Sequence, residues 1–127
     1  LGPNPELANS ILVPLCFNKK YIQTHGDTIK KFVEEVLKSS EYVNFKTMID
    51  IVDRYNIEDR LGEIDVATLI LTGDDDPFIL PKNSELMHKK IKNSELKMFS
   101  PNIGHMIQFE ALEECNKAVE NFLRKLQ

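Results

Sequence analysis

Val66-Ala67-Thr68-Leu69-Ile70-Leu71 is a continuous apolar run, β-branched in part, that stops abruptly at Thr72-Gly73-Asp74. A run without polar alternation predicts a strand buried on both faces, as in a parallel sheet covered by helices. Downstream, residues 83–92 predict a helix, with Asn83 or Ser84 capping it and Leu86, Met87 and Ile91 facing inward. Leu96 to Phe99 is a second, shorter strand candidate, and Pro101 and Gly104 punctuate a loop around His105. The last helix starts near Glu110, with a stripe of Leu112, Cys115, Val119, Phe122 and Leu126 flanked by Ala118 and Leu123. The order is strand, helix, strand, helix. Units of this kind form right-handed crossovers between parallel strands, so the fold class is α/β.

Upstream the pattern changes to helical periodicity. Asp27 is a good N-cap, and Ile29, Phe32, Val33, Val36 and Leu37 follow as one apolar stripe. After Ser39-Ser40, the residues Tyr42, Phe45, Met48, Ile49 and Val52 form a second stripe ending near Tyr55. Residues 1–26 are rich in loop formers and predict little beyond one short helix around Tyr21. Asn56 to Asp65 is a charged link.

The bulk composition excludes several classes. The chain has 127 residues, the size of one domain. Sixteen basic against 20 acidic residues give a net charge of −4, which argues against a nucleic-acid partner. The apolar run Ile11 to Phe17 is interrupted by Pro14 and is far short of the roughly 20 residues a membrane span needs. It lacks a preceding basic stretch and a following cleavage site, so no signal peptide is read there. Cys16 and Cys115 fit no metal or redox spacing and read as buried free thiols of a reducing, cytoplasmic compartment.

Ligands of an open parallel sheet gather beyond the carboxyl ends of its strands. Two loops leave such ends here: Gly73 to Pro81, with Asp74, Asp75 and Asp76, and Ser100 to Met106, with His105. Neighbouring strands lie roughly 4.8 Å apart, so an aspartate of the first loop could meet His105 at hydrogen-bond distance. An aspartate that accepts from one ring nitrogen fixes the histidine tautomer and stabilises the imidazolium, which is half of a catalytic triad. Other readings of the aspartates are weaker. As a calcium loop counted from Asp74, the run puts Phe78 at a ligand position and Ile79 where glycine is needed. His25 and His88 have no evident partners and read as surface or packing residues.

The residues themselves resemble the α/β-hydrolase family. Asp59 to Asp76, with Thr68-Leu69 leading into a strand that ends Gly73-Asp74-Asp75-Asp76, is similar to that family's penultimate strand, which ends Gly-x-x-Asp at the triad acid. Asn102-Ile103-Gly104-His105-Met106 with Glu110 resembles its final loop, where a Gly-His pair supplies the base. The resemblance covers residues 57–127 as the C-terminal part of the hydrolase core, and extends more loosely over 11–56, so that 1–56 reads as a helical, cap-like region. It implies Asp76 as acid and His105 as general base. The family usually has proline four residues after the acid; here prolines fall one and five residues after Asp76, which keeps Asp75 open as an alternative acid. Ala67 stands where the family usually has proline before Thr-Leu.

The nucleophile is a different matter. The family's serine sits on a Gly-x-Ser-x-Gly elbow, and no two of Gly2, Gly26, Gly62, Gly73 and Gly104 are four residues apart. The chain therefore reads as the C-terminal portion of a hydrolase whose N-terminal half was cut away, was left out, or lies on another chain. The resemblance implies hydrolysis of an ester, lactone or similar bond in a small-molecule substrate by the complete enzyme, without metal or organic cofactor, and inactivity of this chain alone. The expected partners are that missing half, or a second copy joined through an exposed sheet edge. A non-catalytic interaction module using residues 27–55, or a degenerate hydrolase-fold binding protein, is the alternative.

Overall fold

The computed structural model describes residue 6 and residues 8–38 and 55–127. The predicted second helical stripe, Tyr42 to Val52, lies outside the described residues. In chain order, a π-helical turn Ala8–Leu12 leads into α1 (Val13–Cys16), α2 (Lys19–Thr24) and α3 (Gly26–Lys38). A 3-10 turn Glu58–Glu63 precedes β1 (Thr68–Gly73), α4 (Pro81–Lys90), β2 (Ser94–Phe99), α5 (Ile107–Glu110) and α6 (Leu112–Arg124). The strands pair in parallel, with Thr68 opposite Ser94 and Gly73 opposite Phe99. Strand, helix, strand and helix thus follow in the predicted order.

Alternation along β1 sends neighbouring side chains to opposite faces. Ile70 packs with Leu61, Ile91, Ile64 and Leu96 on one face, while Leu71 packs with Phe99, Ala111, Cys115 and Ala118 on the other. Helix α4 and the 3-10 turn cover the first face; α6 covers the second. This is why the sequence shows no alternation of polarity: both faces are helix-covered.

Several boundaries differ from the sequence reading. β1 begins at Thr68, and Val66 is 66% exposed before it. The strand starts where the Thr68 amide finds the Asn93 carbonyl at 2.9 Å, a partner that hydrophobicity cannot reveal. Helix α4 begins at Pro81, whose fixed φ suits a first turn. Asn83 therefore lies inside the helix, its amide donating to Leu80. Met87 points outward, Leu86 is half-buried, and Ile91 is buried. Helix α3 starts at Gly26, so Asp27 occupies its first turn, where a carboxylate still favours the positive end of the helix dipole. On α6 only Cys115 is buried, while Leu112 and Leu123, and Leu126 just past its end, are more than half exposed. Two strands are narrower than that stripe. Cys115 is buried as expected, but Cys16 is only half-buried; both thiols are free.

The N-terminal segment holds more helix than expected. Val13, Phe17, Ile29 and Val33 form a core joined by Tyr21, Phe32, Met106 and Phe109. Phe17 lies parallel to Tyr21 at 5.4 Å and edge-on to Phe32 and Phe109 at 5.5 and 5.8 Å. Such offset and edge-on pairs add to simple burial. Through Met106 and Phe109 this cluster packs beside the loop of His105. Among the described residues no helix is long and apolar enough to cross a membrane.

Ile91 and Val66 make the boundary testable by thermal or denaturant unfolding. Ile91→Ala should cost roughly 2–5 kcal/mol, as for a fully buried branched side chain. Val66→Ala should change stability by no more than about 0.5 kcal/mol, as for an exposed position.

Candidate active site

The two loops at the carboxyl ends of β1 and β2 are stitched together by backbone. The Asp74 amide donates to the Phe99 carbonyl, and the Asp75 amide to the Ile103 carbonyl, both at 2.9 Å. The Ile103 amide in turn donates to Asp74 Oδ1 at 2.9 Å. Gly73 makes this possible: a Cβ there would stand 2.2 Å from the Ile103 carbonyl oxygen, far inside van der Waals contact. Asn102 takes the left-handed conformation at φ 58°, which asparagine tolerates better than most residues.

Within this frame Asp76 and His105 meet. The Asp76 carboxyl is 6% exposed, and its Oδ2 lies 2.9 Å from His105 Nδ1. Its other oxygen, Oδ1, accepts from the amides of Phe78 and Ile79, both at 2.8 Å. Both carboxylate oxygens are thus engaged, which restrains the orientation of the group. Asp75 contributes its backbone amide while its side chain is exposed, so the carboxyl at His105 is that of Asp76. Pro77 lies within the turn that Asp76 closes, and Pro81 opens α4; the offset prolines thus bracket the loop after the acid. The Phe78 ring meets the imidazole edge-on at 5.0 Å, and the His105 side chain remains 32% exposed.

Residues to which the sequence reading gave no role in the site lie nearby or support its loops. Cys16, at the end of α1, accepts at its carbonyl from the Met106 amide at 2.9 Å. Burial, together with the negative charge of Asp76, pushes the Cys16 thiol pKa up. Asn18 caps α2 by accepting from the Tyr21 amide at 2.9 Å; an Asn directly before Lys19-Lys20-Tyr21 was a readable cap signal. Glu110 accepts from the Asn18 amide and from the Gly104 amide. Burial, and then the Glu110 charge, raise the Tyr21 phenol. His25 and His88 do have partners: His25 stacks on Tyr21 at 4.0 Å and contacts the Thr24 hydroxyl, and His88 Nδ1 contacts the Ser94 hydroxyl. Both are exposed.

A parallel sheet with helices on both faces and an Asp–His pair beyond its strand ends is the arrangement of the α/β hydrolases. The fold matches the crystal structure of an α/β hydrolase enzyme from a Medee basin deep-sea metagenome library with a TM-score of 0.76 at 20% identity, covering 95% of this chain and 45% of that one. Residues 19–127 match the family model described as PhoPQ-activated pathogenicity-related protein, and the chain belongs to that family. It is 32% identical over 103 residues to a proline iminopeptidase of Thermoplasma volcanium, covering 72% of this chain and 34% of that protein. It is also 38% identical over 64 residues to a 2-hydroxy-6-oxononadienedioate/2-hydroxy-6-oxononatrienedioate hydrolase of Paraburkholderia xenovorans, covering 50% of this chain and 22% of that protein. The chain therefore spans about a third or less of the length of these curated relatives.

The neighbourhood of Cys16 gives a direct chemical test. A raised thiol pKa leaves less thiolate at pH 8, so Cys16 should alkylate with iodoacetamide more slowly than a free cysteine. Asp76→Asn removes the charge that opposes ionisation, so it should speed alkylation at the Cys16 peptide, followed by mass spectrometry. An unchanged or slower rate would contradict the electrostatic contact.

Proposed function

We propose that this chain supplies the acid and the base of a serine hydrolase, Asp76 and His105, and that the nucleophile comes from sequence outside these residues. The contact of Asp76 Oδ2 with His105 Nδ1 at 2.9 Å carries the reading. The likeness to hydrolases and the short span of those relatives that is covered support it.

In this reading Nδ1–H donates to Asp76, which leaves Nε2 unprotonated and facing the substrate side. Nε2 takes the proton of the serine hydroxyl as its oxygen bonds to the scissile carbonyl carbon. The resulting imidazolium, stabilised by Asp76, then protonates the leaving group as the acyl-enzyme forms. Water, deprotonated by the same nitrogen, releases the acid. The substrate class is an ester, lactone or similar acyl compound. Asp76 orients and stabilises, and its buried, doubly amide-bonded carboxylate suits that role because those bonds hold it against turning away from the ring. The outer edge of β1 would pair with the next strand of the complete sheet; a second copy joined through the same edge is the competing occupant.

Ester hydrolysis tests this reading. The pure 127-residue protein should show negligible turnover of p-nitrophenyl acetate. A longer protein that adds a Gly-x-Ser-x-Gly elbow upstream should hydrolyse it, and His105→Ala there should lower kcat by roughly 10⁴-fold or more. A clear rate from the 127-residue protein alone, abolished by His105→Ala, would overturn the assignment of the nucleophile to another segment.

A further inference from the structure

Glu110 does not touch the Asp76–His105 pair, yet its carboxylate gathers the chain around it. Oε1 accepts from the Asn18 amide at 3.0 Å, and Oε2 accepts from the Gly104 amide at 3.1 Å. The Asn18 side-chain amide also donates to Oε2. All of these donors are neutral N–H groups, and charged acceptors make the stronger class of hydrogen bond with them. The two protein segments so joined are far apart in sequence: Asn18 caps α2, Gly104 precedes His105, and Glu110 closes α5.

The placement of Gly104 gives the contact its consequence. A Cβ on Gly104 would stand 2.8 Å from Glu110 Oε1 and 3.0 Å from the Asn18 amide nitrogen, so the carboxylate and the Asn18 turn occupy the space beside it. The Gly104 amide belongs to the peptide directly before Gly104, and the next peptide carries His105. Holding that amide limits rotation about the bonds that aim the imidazole. On the other side of the histidine, the Met106 amide is held by the Cys16 carbonyl at 2.9 Å. The His105 backbone is therefore pinned on both flanks to the same N-terminal segment, residues 16–18.

We propose that Glu110 is a positioning residue for His105, holding the Gly104 amide against the Asn18 turn so that Nδ1 stays directed at Asp76. The proposal rests on the reading of His105 as the base. It also makes residues 16–18 part of the active site's frame, although none of them reacts in the proposed mechanism.

Solvent exchange of the His105 Nδ1–H proton, followed by NMR in the 127-residue protein and assigned by its absence in His105→Ala, tests this. Glu110→Ala should speed that exchange about tenfold or more, the factor expected on losing a hydrogen bond to a charged group. Amide protection in β1 should stay unchanged. Glu110→Gln should be intermediate, because its amide keeps one acceptor oxygen but turns an NH₂ toward other donors. If Glu110→Ala does not fold, Asn18→Ala decides, with faster His105 exchange expected again. Unchanged His105 exchange in the folded variants, or a loss of protection equal to that in β1, would overturn the proposal by showing no role or only a global structural one. Activity plays no part in this readout. A failed hydrolysis assay with accelerated exchange would leave the positioning intact and remove its catalytic purpose; intact hydrolysis with unchanged exchange would do the reverse.

Discussion

Gly73 lies so close to the Ile103 carbonyl that no side chain fits between them, and the site depends on that approach. The parallel register that sets Gly73 opposite Phe99 brings the two loops side by side. Close approach then lets Ile103 bond to Asp74 and Asp75 at once. With both loops locked, Asp76 and His105 can lie 2.9 Å apart without either needing flexible reach. Burial of the carboxylate and its amide bonds complete the restraint, since an immobile acceptor costs less to organise at each encounter than a mobile one.

The strand order and the parallel pairing were legible because a long unpatterned apolar run has few alternatives to a helix-covered strand. The meeting of an aspartate with His105 was legible because topology places both at carboxyl ends of strands. Choosing among Asp74, Asp75 and Asp76 depended on the hydrolase resemblance, and the turn itself distinguishes them. Asp74 holds Ile103, Asp75 gives its amide, and Asp76 turns inward. Boundaries were less legible. Val66 is apolar yet exposed, because the ladder begins only where Asn93 offers a carbonyl to Thr68. The short helix read around Tyr21 is α2, whereas residues 8–18 looked like loop because Pro14 and Asn18 are loop formers. Pro14 instead lies in the first turn of α1, and Asn18 caps α2. Breakers mark helix ends as readily as loops.

The N-terminal segment and the C-terminal sheet are linked at the site itself. Phe17 packs on Phe109, Cys16 holds Met106, and Asn18 meets Glu110. Each contact falls within a few residues of His105. Segments distant in sequence thus converge on one loop, whose conformation is set by tertiary bonds from outside it. A histidine held in this way can keep one tautomer and one direction while its outer nitrogen remains accessible, as general base chemistry requires.

The tautomer of the neutral His105 ring tests the central claim most directly. Long-range proton–nitrogen correlation NMR distinguishes the ring nitrogens. The expected result is that the neutral imidazole carries its proton on Nδ1 and leaves Nε2 bare, with loss of that preference in Asp76→Asn. A ring protonated on Nε2 alone, or a tautomer mixture indifferent to Asp76→Asn, would contradict an acid–base pair prepared for catalysis.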